Sequence, residues 1–135
     1  MLKQLAKASR KRREGPSLQR FKRTGKLFKH RATPNVHYTS HTLPSAKRAT
    51  RAFRKLNRCV KKQLRVVETH SAVRKPSSAL YRHYVVQHGK HRFHDDVELV
   101  LDGRAILIRS SSREGLYDMG VNGKRVETLQ RCAKL

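Results

Sequence analysis

Asp95-Asp96-Val97-Glu98-Leu99-Val100-Leu101-Asp102-Gly103-Arg104-Ala105-Ile106-Leu107-Ile108-Arg109 is the stretch whose reading decides the fold. Two apolar runs, Val97 to Leu101 and Ala105 to Arg109, flank Asp102-Gly103. Asp-Gly adopts the positive φ of a tight turn readily, so the stretch reads as two antiparallel strands joined by a hairpin. Upstream, Tyr81 to Gln87 and Leu64 to Val67 are further strand-sized runs, set off by Gly89-Lys90 and by Lys75-Pro76-Ser77-Ser78. Before them, Ser45 offers an N-cap, and Ala49, Phe53, Leu56, Val60 and Leu64 recur at intervals of three or four residues. The other side of that predicted helix carries Lys47, Arg51, Arg54, Arg58, Lys61, Lys62 and Arg65. One side can therefore pack on a sheet while the other presents a cationic stripe. A last helix is expected from about Asn122, with Val126, Leu129 and either Cys132 or Ala133 on its apolar side. The expected class is α+β: a helix packed on a small antiparallel sheet of about four strands, a C-terminal helix, and an extended basic N-terminal arm.

That arm is the second feature of the chain. The 135 residues hold 33 Lys and Arg against nine Asp and Glu, for a net charge of +24. The imbalance is concentrated: residues 1 to 80 carry 23 of the bases but only two acids, Glu14 and Glu68. Such a density repels itself and seeks polyanions. In residues 1 to 13, Leu2, Leu5, Ala6 and Ala8 alternate with bases that include Lys11, Arg12 and Arg13, a pattern that suits a short amphipathic helix ended by Gly15-Pro16. From Ser17 to Pro44, Lys22, Arg23, Lys26 and Lys29 are interleaved with Phe21, Phe28, His30, His37, Tyr38 and His41, and the stretch reads as extended. The division drawn from this is a basic arm or transit segment over 1–44 and a small domain over 45–135.

Several classes are set aside. The longest apolar runs are strand-sized, well short of the roughly 18 to 20 residues that a membrane-crossing helix needs. Leu2 to Ala8 is interrupted by Lys3 and Lys7 and offers no apolar core for a secretory signal, so the protein is not expected to be secreted. Cys59 and Cys132 are too few for a disulfide framework and read as reduced, partly buried thiols, with a single bridge between them as the alternative. His83, His88, His91 and His94 cluster in sequence, but their spacing favours solvated loop histidines over a metal centre. No nucleophile-elbow motif surrounds Ser112, which argues against a Ser-His-Asp set with Asp118. Asp95 and Asp96 are adjacent in a strand and so point to opposite faces, one expected toward solvent and the other toward a turn. Neither a metal nor a cofactor nor catalysis is expected.

Asp95-Asp96-Val97-Glu98-Leu99 and the run from Ile108 to Glu127, Ile-Arg-Ser-Ser-Ser-Arg-Glu-Gly-Leu-Tyr-Asp-Met-Gly-Val-Asn-Gly-Lys-Arg-Val-Glu, together resemble an uncharacterised family, domain of unknown function DUF1499. Its members occur in bacteria and plastid-bearing eukaryotes. The likeness is strong from Arg92 to Leu129, weaker back through 45–69, and departs from the family pattern at Glu114, Leu116 and Gly123. It implies a fold, and no activity comes with it. Within the motif, Asp95, Asp96, Ser110, Ser112, Arg113, Asp118, Asn122 and Arg125 read as a polar network in which Arg113 pairs with Asp118 and Asn122 caps the last helix. The competing reading places an anion between Arg109, Arg113 and Arg125 beside a helix N-terminus.

Function at this level is a binding function. Lys11, Arg12, Arg13, Lys22, Arg23, Lys26, Lys29, Arg51, Arg54, Arg58, Lys61 and Lys62 are the expected RNA-contacting residues, cations for phosphates with rings interleaved for bases. The expectation is a non-enzymatic RNA-binding protein, a ribosomal or ribonucleoprotein component of a mitochondrion or plastid with other proteins as further partners. The alternative is an imported domain with a cleavable transit peptide that binds a small anion.

Overall fold

Strands β4 (Phe93–Asp102) and β5 (Ala105–Ser112) form the expected hairpin, with Asp102 opposite Ala105 and Gly103 at a φ of 60°. A Cβ disfavours that backbone conformation, which is why glycine serves the turn. The computed structural model describes residues 14–29, 35–90, 92–114 and 119–135. Around the hairpin lie helix α1 (Leu18–Thr24), strand β1 (Val36–Thr42), helix α2 (Ala46–Gln63), strands β2 (Arg65–Arg74) and β3 (Ala79–His88), and helix α3 (Val121–Ala133). The sheet has five strands in the order β1-β5-β4-β3-β2, and all neighbours are antiparallel.

The fifth strand corrects the sequence reading. Val36–Thr42, expected within an extended arm, pairs along β5 from Val36 opposite Ser111 to Thr42 opposite Ala105. Its residues are polar or β-branched and none is fully buried, so it lacks the apolar signal that marked the others. Leu18–Thr24, also expected to be extended, is a helix closed by Gly25 at φ 73°. β2 runs on to Arg74, well past the four residues expected, because β3 supplies pairing partners along its length.

Alternation along the hairpin divides the interior between two faces. On one face, Phe53, Leu56 and Val60 of α2 and Val126 and Leu129 of α3 pack on Tyr84, Val86, Val97, Leu99, Ile106 and Ile108. On the other, Phe21 and Leu27 pack on Tyr81, Val100 and Leu107, and the Phe21 and Tyr81 rings stack at 5.2 Å. Each such side chain, fully buried, contributes roughly 1.5 to 3 kcal/mol of transfer free energy. α2 begins as expected, the Ser45 hydroxyl accepting from the Arg48 amide at 3.1 Å. Cys59 of α2 and Cys132 of α3 form a disulfide, with Cα atoms 6.0 Å apart, so the expectation of reduced thiols is overturned. The spacing of 73 residues in sequence conceals that both helices lie side by side on one face.

Candidate nucleic-acid interface

Lys47, Arg51, Arg54, Arg58, Lys61 and Lys62 are all exposed on α2. At 3.6 residues per turn they fall within an arc of roughly 100°. That arc lies opposite Phe53, Leu56 and Val60, which are turned into the core. Burial of the apolar stripe thus orients the cationic one outward. Among the described residues, none of these six has a carboxylate partner.

Lys22, Arg23, Lys26 and Lys29 are also exposed, but their segment covers the opposite face of the sheet. The two cationic sets are therefore on opposite layers and do not form one surface. Lys11, Arg12 and Arg13 lie outside the described residues.

The acids explain why so few cations are neutralised. Asp95, Asp96 and Glu98 are buried, so three of the nine acidic residues act inside the fold. Asp95 and Asp96 do point to opposite faces, yet neither meets solvent or a turn: they are 1% and 0% exposed. Each is held by an arginine brought from later in the chain.

On the α1 face, Arg113 donates to both oxygens of Asp96, at 3.0 and 2.8 Å, and His83 Nε2 lies 2.6 Å from Oδ1. Burial alone raises the Asp96 pKa, but the hydrogen bonds from His83 and Arg113 more than reverse this and hold the carboxyl well below the usual carboxylate range. For Arg113, burial opposes the charge, and the bonds to Asp96 outweigh it and raise the pKa. One step along β4, Glu98 accepts from Tyr81 Oη at 2.6 Å, from the Ser17 amide at 2.8 Å and from Arg109 at 3.1 Å. Burial, reinforced by the Glu98 charge, drives the Tyr81 phenol far above its ordinary pKa. The chain enters this layer at Gly15, where a Cβ would stand 1.8 Å from Tyr81 Oη.

On the α2 and α3 face, Arg125 donates to Asp95 at 2.7 Å and to Ser110 and Asn122 at 3.0 Å each. Asn122 donates to the Asn35 carbonyl at 2.9 Å and to Ser112 at 2.8 Å, and accepts from Ser110 at 2.7 Å. Asn122 is thus not a helix cap. Gly120 holds the N-cap position at φ 78°, and Asn122 sits inside the first turn as a tie between α3, β5 and β1. Asp118, the expected partner of Arg113, lies outside the described residues.

Asp96 and Glu98 were legible as a motif but not as partners, because their pairing runs across strands, and His83, read as a solvated loop histidine, is instead buried against Asp96. Tyr81 and Ser17 were missed altogether, and nothing local in the sequence distinguishes them. The histidines separate: His83 meets Asp96, His88 meets Asp95 at 3.0 Å, His94 meets Gln87, and His91 lies outside the described residues. Among the described residues no three His, Cys, Asp or Glu side chains are grouped to hold a metal ion. No described helix is long and apolar enough to cross a membrane.

The family described as protein of unknown function (DUF1499) matches residues 8–132. No curated protein and no solved structure is matched by the chain.

Proposed function

The chain belongs to the DUF1499 family, and for this member we propose a non-enzymatic RNA-binding function exerted through the phosphate backbone. The observation that carries the proposal is the outward stripe of α2, six exposed cations with no carboxylate against them among the described residues. Coulombic attraction of this kind is sequence-independent and releases counterions, so affinity falls steeply with salt. We place the protein in a ribonucleoprotein of a mitochondrion or plastid.

The small-anion reading loses support. Arg113 and Arg125 are 6% and 7% exposed, and each is engaged by a buried aspartate, so neither is offered to a ligand. A catalytic use of His83 and Asp96 is likewise unsupported, since both side chains are wholly buried.

A filter-binding titration over 50 to 200 mM salt tests the proposal. Six to ten phosphate contacts give a log-log slope of roughly −5 to −9. Removing residues 1–44 would delete β1 and the cover of the second face, so the arm is tested by deleting residues 1–13 alone. Absence of salt-dependent RNA binding in the full chain would sink the proposal.

A further inference from the structure

We infer that the partner of α2 is double-helical RNA, recognised by its two-strand phosphate surface and not by its bases. The inference rests on the RNA-binding reading above and narrows it.

Three observations carry it. The six cations of the stripe form a rod: Lys47 to Lys62 span roughly 22 Å at 1.5 Å per residue, with steps of three or four residues, about 5 Å, between successive charges from Lys47 to Lys61, and Lys62 next to Lys61. That rod is rigid, because Ser45 caps its start, five of its residues are buried and Cys59 is bonded to α3. A stiff, straight row of charges suits a stiff polyanion. A flexible single strand must lose conformational freedom to follow it.

Second, the stripe carries no ring. The only aromatic residue of α2 is Phe53, which is 3% exposed in the core. The exposed large apolar side chains among the described residues are Phe28, Val67, Val73, Phe93 and Met119, none of them on α2. Single strands are held by bases stacked on aromatic rings as well as by charge, and this surface lacks that half of the apparatus. Without it, selectivity follows charge density, which is higher on a duplex: each phosphate contact contributes about −0.9 to the salt slope there, against about −0.7 on a single strand.

Third, Phe28, the exposed phenyl ring that the sequence places among the basic residues of the arm, lies elsewhere. Phe28 sits under Arg20 at 5.2 Å on the α1 side, across the sheet from the stripe, so it cannot join α2 on one strand. The stripe also has no Asn or Gln at its centre to read base edges, since Asn57 is turned inward and bonds the Phe53 carbonyl at 2.8 Å.

The experiment is fluorescence anisotropy of the full chain with a 20-base-pair RNA duplex and with one of its strands, over 50 to 200 mM salt. A second duplex of scrambled sequence and the variant Arg51→Ala/Arg54→Ala/Arg58→Ala complete it. The duplex should bind about tenfold or more tighter than the strand at 100 mM salt, and scrambling should change its affinity less than about threefold. The triple variant should make the duplex slope shallower by about 2.7, from three contacts at about 0.9 each. Equal or tighter binding of the strand, a strong sequence preference, or an unchanged duplex slope in the variant would each overturn the inference while leaving RNA binding intact. Salt-insensitive or absent binding to both forms would overturn the RNA reading itself.

Discussion

Arg51, Arg54 and Arg58 on α2 and Arg109, Arg113 and Arg125 around the hairpin are one residue type in two opposite circumstances. The first three are exposed and face no carboxylate among the described residues. The second three are at most 7% exposed, and each meets a buried acid, at 3.1, 2.8 and 2.7 Å. A desolvated charge pair stabilises only if both members stay, whereas a solvated charge contributes almost nothing to folding and remains available to a partner. Position relative to the sheet, not residue identity, decides whether an arginine holds this protein together or projects from it.

The largest test of that contrast is Asp96→Ala. It leaves the Arg113 guanidinium and His83 buried without their shared acceptor, and the expected loss is roughly 3 to 5 kcal/mol in denaturant unfolding. Combining it with Arg113→Met should recover much of the loss, and additive losses in that cycle would show that the two do not act as a unit. The same carboxylate gives the fold an acid limit. Because the native Asp96 pKa is depressed, its contribution is present above the unfolded value of about 3.9 and is lost as pH falls below it. Melting temperature followed from pH 6 to pH 2 should drop below about pH 4 in the wild type, and Asp96→Ala should flatten that drop.

Next in size, Cys59→Ser or Cys132→Ser should cost about 2 to 5 kcal/mol by releasing a 73-residue separation in the unfolded chain, with reductant reproducing the effect in the wild type. A melting curve indifferent to reductant would contradict the bridge. Gly15→Ala comes third. Its methyl group would press on Tyr81 and Glu98, and overpacking of this kind costs about 1 to 3 kcal/mol. Smallest of all, the alanine triple at Arg51, Arg54 and Arg58 should change stability by no more than about 0.5 kcal/mol per site. A loss on the scale of Asp96→Ala would erase the distinction between the two sets of arginines.

Local pattern was enough for some of this. The period of α2, its Ser45 cap, the Asp102-Gly103 hairpin and the outward direction of the cations are legible because each depends on residues within a few positions of one another. That Asp95, Asp96, Ser110, Ser112, Arg113, Asn122 and Arg125 stand together in one motif was legible too, though not that both aspartates are buried. What the residues do there was not. Arg113 meets Asp96 because β4 and β5 lie antiparallel in one register, and Arg125 meets Asp95 because α3 returns across the opposite face. β1 escaped notice for a related reason: an edge strand with one partner and little burial is specified by the strand beside it more than by its own residues. Cys59 and Cys132 make the same point, since their bond depends on two helices sharing a face. Charge and periodicity belong to the chain, whereas pairing across distances of 11 to 87 residues belongs to the folded sheet, which alone brings those groups within reach of a hydrogen bond.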